Sequence, residues 1–173
     1  MSERSTCSRL AHYIELQLEY ENVSGYYADV EYNRKQRGKV KTIIINEEQI
    51  VSITPDLIVH SRGEIPAPND NMIAVEAKKS SRPTRGKEDD TARLIAMTRE
   101  PYNGVWNWED GHPEHVCGYA VGIFMEIRRE AREVLLEYFK RGQKTKEQLF
   151  TIPVAKTQQA VPAGRPRLRR GPP

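Results

Sequence analysis

"SITPDLIVHSRGEIPAPNDNMIAVEAKKS", residues 52–80, is the stretch on which the fold turns. Leu57 to His60 and Met72 to Ala77 read as two buried strands, short and apolar. The segment between them, RGEIPAPNDN, is a loop by its Gly, Pro, Asn and Asp content. Polar side chains interrupt this apolar text. Asp56 stands at the mouth of the first strand, Glu76 lies inside the second, and Lys78 follows it by two. An unpaired carboxylate in a sheet is costly, and two close together are worse.

Adjacent antiparallel strands bring Asp56 and Glu76 to the same side. Strand alternation puts Glu76 and Lys78 on one face, with the Ala77 carbonyl between them. Hard oxygen donors of this kind select Mg²⁺ or Mn²⁺. Lys78 is then placed to orient an attacking water, which suits metal-assisted hydrolysis of a phosphodiester. Each residue alone has a plainer account. Asp56 would cap the turn after Pro55, and Glu76 with Lys78 would form a cross-strand ion pair on a solvated face. Their joint order and spacing favour the ion site.

Working outward, Glu3 to Tyr20 reads as a helix, with Cys7, Leu10, Ala11, Ile14 and Leu18 on one apolar stripe and Ser2 as its N-cap. Glu3 projects onto that same stripe, where the plain explanation is attraction to the helix N-terminal dipole. Asn22 to Gly25 breaks the helix. YYADVEYNRK then alternates as a strand, with Ala28, Val30 and Tyr32 on one face and Asp29, Glu31 and Asn33 on the other. RGKVKTIIIN and EEQIVSIT suggest a hairpin. After the 52–80 stretch come a polar loop, a helix of about Asp89 to Arg99, and an irregular aromatic insertion from about Tyr102 to His115. A strand over Val116 to Ile127 follows, with Gly118 and Gly122 allowing close backbone approach. The last element reads as a helix of about Arg128 to Lys140, with Ala131, Val134, Leu135 and Tyr138 inward and Gly142 as its stop. This order predicts a mixed sheet with helices on both faces.

Pro55-Asp56, a spacer and Glu76-x-Lys78 in this order resemble the PD-(D/E)XK nuclease superfamily. Four runs carry a closer resemblance to small bacterial restriction-endonuclease-like proteins. They are Glu3-Arg4-Ser5 with Arg9-Leu10-Ala11, Glu31-Tyr32-Asn33-Arg34, PDLIVHSRG (55–63) and VEAKKS (75–80). The resemblance covers about residues 3 to 140. It implies an α/β fold with a restriction-endonuclease-like core: a mixed central sheet flanked by helices in αβββαβ order, with a C-terminal helix. It implies Asp56 and Glu76 as metal ligands, with the Ala77 carbonyl and Glu3 completing or supporting the site, and Lys78 as the catalytic lysine. Glu31 and Asn33 become supporting or substrate-contacting groups. Asp90 and Arg93 fall where the family has a "D…KL" helix near the phosphate backbone. Lys79, Arg82, Arg85 and Lys87 are further candidate phosphate contacts. A homodimer is one implied assembly, with the helix after Ile127 as its interface. The aromatic insertion is long for the family, and Glu3 lies close to the start of the chain.

Composition narrows the classes. Of 173 residues, 29% are charged and 38% hydrophobic, which suits a single domain with a modest core. No apolar run is long enough for a membrane span, and MSERSTCSRL lacks a secretory signal pattern. Cys7 and Cys117 fit two reduced thiols, so a cytoplasmic setting is expected. Net charge is +3, but five of the 27 basic residues lie between Lys156 and Pro173, a stretch without acids. The remaining 22 against 24 acids leave the body near −2. The expected division is a nuclease-like domain over residues 1–142 and an extension over 143–173. The extension ends in a flexible basic tail, either simply solvated or touching phosphates. His112, His115 and Cys117 lack a second cluster for zinc. Trp106 and Trp108 suit packing of the loop better than base stacking. No phosphate-binding loop, dinucleotide fingerprint, nucleophile elbow or redox pair is present. The expected activity is Mg²⁺-dependent cleavage of nucleic acid, DNA foremost. The alternatives are an inactive nucleic-acid-binding or interaction module of the same fold, and a structural protein whose acids only form ion pairs.

Overall fold

The computed structural model describes residues 2–30, 42–46, 49–52, 55–66, 68–81, 84–100 and 117–153. In chain order the elements are α1 (Glu3–Tyr20), β1 (Tyr27–Val30), β2 (Thr42–Asn46), β3 (Gln49–Ser52), β4 (Leu57–His60), β5 (Asn71–Lys79), α2 (Thr84–Met97), β6 (Val121–Arg128), β7 (Glu133–Lys140) and β8 (Gln143–Thr151). The architecture is α/β, with a mixed six-stranded sheet in the order β1-β4-β5-β6-β7-β8. β2 and β3 pair as a separate antiparallel hairpin. Among the described strands only β5 and β6 run parallel, because α2 lies between them in the chain and carries it back across the sheet.

Helix α1 forms where the apolar stripe predicts it. Ser2 caps it, its hydroxyl accepting from the Ser5 N–H at 3.0 Å. Asn22 and Gly25, both at positive φ, turn the chain toward β1. The stripe packs on one sheet face: Cys7 and Ala11 are buried against Leu57, Val59, Val75, Ala77 and Met125. Alternation sends Ile58, Ala74 and Phe124 to the opposite face, where Leu94 and Met97 of α2 cover them together with Phe139. The two helices therefore flank the sheet on opposite sides.

Helix α2 lies close to the sheet because Gly122 has no side chain. A Cβ there would sit 2.9 Å from Thr98 Cγ2, 3.3 Å from Phe139 Cβ and 3.4 Å from Leu94 Cβ. The close approach expected at this glycine is present.

The C-terminal helix expected over Arg128–Lys140 is corrected. Residues 133–140 form β7, paired antiparallel with both β6 and β8. Arg141 (φ 50°) and Gly142 (φ 74°) make a two-residue turn of the kind that joins antiparallel strands. Gly142 thus turns a hairpin and stops no helix. The physical reason is pairing: residues 133–139 find a complete partner strand on each side, which outweighs their intrinsic helix preference. The sheet consequently runs on through Thr151, past the boundary expected at residue 142. The homodimer interface expected on that helix loses its basis, and the expected basic tail lies outside the described residues.

Candidate active site

On β5, Val75 and Ala77 face α1, so Glu76 and Lys78 face α2. Glu76 is 1% exposed. Its carboxyl is met from α2: Arg93 Nε donates to Glu76 Oε1 at 2.9 Å, and Arg93 Nη2 donates to Asp90 Oδ1 one helical turn earlier. Lys78 Nζ lies 3.0 Å from Asp90 Oδ2. That contact is close enough for charge attraction, but Asp90 Oδ2 is buried and accepts no aligned hydrogen bond.

The edge of β5 positions two more acids. The β4–β5 ladder reaches Leu57 opposite Val75 and goes no further. The next N–H on that edge, at Ala77, donates to Asp56 Oδ2 at 2.8 Å. The one after it, at Lys79, donates to Glu3 Oε1 at 3.2 Å. Even-numbered positions point the other way, as the Ser80 N–H bond to the Ile127 carbonyl shows. Asp56 and Glu3 thus satisfy the strand's overhang where its partner strand is missing. A strand residue sends its N–H and C=O to the same side, so the Ala77 carbonyl also leaves toward Asp56.

The electrostatics join these groups into one cluster. Burial pushes the Glu76 carboxyl up, the Arg93 guanidinium draws it back, and the charges of Asp56 and Asp90 raise it again, to about 8. Burial also raises Asp90 against the pull of Lys78 and Arg93, with Asp56 adding to the rise. Burial alone would lower Lys78, but Asp90, Asp56 and Glu76 outweigh it and the ammonium is held above its ordinary range. Arg93 is raised in the same way, its burial outweighed by Glu76 and Asp90. The negative charge of Asp56 adds to the upward shifts of Glu76, Lys78 and Asp90.

The sequence-derived set is brought together in part: Glu76, Lys78, Asp90 and Arg93 form one linked cluster, and Asp56 sits beside it at the edge of β5, held by the Ala77 N–H. Glu3 reaches the strand end through the Lys79 N–H, and the Lys79 side chain is half-buried. Lys87 turns to Glu126, with Nζ 2.9 Å from Oε1, and Arg128 Nε lies 3.6 Å from the same oxygen. Glu31, Asn33, Arg82, Trp106, Trp108, His112 and His115 lie outside the described residues, as does the Arg85 side chain. Sequence reading missed a second group. The His60 ring nitrogen Nε2 lies 2.9 Å from Asp29 Oδ2, and Arg62 clamps Asp29 through Nε at 2.9 Å and Nη2 at 2.6 Å. Burial would raise Asp29, but Arg62 and His60 outweigh it and hold the carboxyl below its ordinary value. The available signal was parity: Asp29 alternates with Ala28 and Val30, which face α1, and pairs opposite Ile58 on the α2 side of the sheet.

Among the described residues, no three His, Cys, Asp or Glu side chains form a ready-made metal cage. The donor chemistry nevertheless fits a hard cation. Asp56 and Glu76 supply carboxylates, the Ala77 carbonyl leaves beside them, and Asp90 Oδ2 is a buried oxygen without a hydrogen bond. Arg93 and Lys78 now supply the positive charge that such a group of acids requires. A comparison of the chain with protein-family models, curated proteins and solved structures returns no match.

Proposed function

We propose that the chain is a divalent-cation-dependent nuclease that hydrolyses phosphodiester bonds, DNA foremost, on a restriction-endonuclease-like core. The observation that supports this reading most strongly is the linked cluster of Glu76, Lys78, Asp90 and Arg93 on one sheet face, with Asp56 at the adjoining strand edge. Burying two carboxylates, Glu76 and Asp90, against half-buried cations gains little stability over well-packed apolar residues, so their placement is better explained by chemistry.

In this reading Asp56, Glu76 and the Ala77 carbonyl hold Mg²⁺ or Mn²⁺. When bound, the ion supplies electrostatic stabilisation for the charge that develops on the phosphate. Lys78 stays an ammonium at neutral pH, because its neighbours hold its pKa up. It therefore acts as a hydrogen-bond donor that orients the attacking water, and not as a base. Asp90 keeps that ammonium close by charge attraction across 3.0 Å. Glu3 braces the end of β5 so that Glu76 and Lys78 keep their spacing.

A second reading is a binding module of the same fold without turnover. It is favoured by one contact, the Arg93 guanidinium on Glu76 Oε1, since a cation already occupies that oxygen.

The deciding experiment incubates the protein with single- and double-stranded DNA and RNA in Mg²⁺, Mn²⁺ or EDTA, with Asp56→Ala as control. Metal-dependent cleavage that disappears in Asp56→Ala is the expected result. Retention of nucleic acid without cleavage selects the binding module. No retention even at low salt, where phosphate contacts are strongest, defeats both readings.

A further inference from the structure

Arg93 holds two carboxylates at once, and the two attachments differ in kind. Asp90 sits on the same helix, so that contact travels with α2. Glu76 belongs to β5, so that contact crosses from helix to sheet. The Arg93 side chain is 21% exposed and has a path toward solvent. Formal charges at the cluster are three carboxylates (Asp56, Glu76, Asp90) against two cations (Lys78, Arg93), leaving −1. A divalent ion added to this set brings the sum to +1. A phosphodiester, which carries −1, restores neutrality. With all three carboxylates ionised, as ion binding requires, the set balances once both ligands are present, and the long guanidinium arm is the part with room to rearrange between them.

We propose that Arg93 is an exchangeable internal cation. It occupies Glu76 in the ion-free chain, yields that oxygen to a divalent ion and, still tethered to Asp90, turns the freed edge of its guanidinium to the substrate phosphate. The inference rests on the reading of the cluster as an ion-dependent phosphodiester site. Two consequences follow. Ion binding must break the Arg93–Glu76 contact, which lowers apparent affinity. Ion and nucleic acid also strengthen each other's binding, and reciprocally so.

The test is calorimetric titration of Mn²⁺ into the full chain without nucleic acid, comparing the wild type with Arg93→Met and Arg93→Lys, with Glu76→Gln as site control. Expected are binding about tenfold or more tighter in Arg93→Met, an intermediate gain in Arg93→Lys, and loss in Glu76→Gln. The lysine variant is decisive, because it keeps the charge and loses the fork. A gain confined to Arg93→Met reports only the missing charge and overturns exchange. So does equal or weaker binding in both variants, or no Mn²⁺ binding in any form. If Arg93→Met is unfolded without ion, its melting with and without Mn²⁺ is read instead: rescue larger than the wild-type gain is expected, and an equal or smaller one overturns the proposal. Cleavage by the wild type with no tighter binding in the variants sinks exchange and leaves the nuclease reading standing. Tighter binding with no cleavage of any nucleic acid does the reverse.

Discussion

Replacing Glu76 with glutamine isolates the cost of the buried charge. The carboxyl has an ordinary value of 4.5 and is pushed to about 8 in the native chain, chiefly by burial. Its folded pKa is therefore raised. Below pH 4.5 the group is protonated in both states and its stabilising effect is fully present. As pH rises from 4.5 toward 8, the unfolded chain ionises while the native chain keeps its proton, so native stability falls. At about 1.4 kcal/mol per pH unit, the loss across that window sums to an upper bound of about 5 kcal/mol. Water entry and side-chain relaxation reduce such penalties, so a loss of about 2 to 3 kcal/mol is expected. Glutamine keeps an acceptor for Arg93 Nε and cannot ionise. Urea denaturation of both proteins in EDTA at pH 5, 7 and 8.5 gives the difference directly. Asp90, also raised, is present in both proteins and largely cancels. The wild type should lose ground to Glu76→Gln steadily across the window. A stability difference that stays constant with pH would refute the assignment of a desolvated, proton-holding carboxyl.

Three further outcomes are expected. Lys78→Met should lower metal-dependent cleavage by about 10²- to 10³-fold while Mn²⁺ binding persists, measured by plasmid cleavage and titration calorimetry; undiminished cleavage would remove Lys78 from the chemistry. Gly122→Ala should destabilise by about 1 to 3 kcal/mol, because the added methyl meets Thr98, Phe139 and Leu94 at 2.9 to 3.4 Å; an unchanged urea midpoint would show that α2 yields freely. Glu3→Ala should lose about 1 kcal/mol of stability by orphaning the Lys79 N–H. Glu3→Gln should behave like wild type, and Mn²⁺ affinity should hold in both; a marked fall in affinity would make Glu3 a ligand and not a brace.

Legibility in the sequence followed the reach of the interactions. Helix α1 was read to its ends because a stripe and a cap are local signals. The 42–52 hairpin and strands β4 and β5 were read from β-branched runs and turn residues. The C-terminal hairpin was misread. Val134, Leu135 and Tyr138 satisfy a helical period as well as Val134, Leu136 and Tyr138 satisfy a strand, and the surrounding Glu, Arg and Leu favour helix. The deciding clue was Arg141-Gly142, whose positive φ angles close a two-residue turn. At the site, alternation alone put Glu76 and Lys78 together. The clamp of Arg93 on Glu76 was not legible, because it exists only once α2 has docked on the sheet. The role of Glu3 as acceptor for the Lys79 N–H depends on where β4 starts, which one strand's pattern does not reveal.

The bare backbone at Gly122 sets the standoff between α2 and the sheet, and the same helix carries Asp90 and Arg93. Standoff and charge geometry are thus one mechanical variable. A few tenths of an ångström at a hydrogen atom in the interior become a change in how far a guanidinium must stretch to an acid on the next layer. Tuning of this centre by mutation need not touch a single polar residue: resizing the spacer beneath the helix would do it.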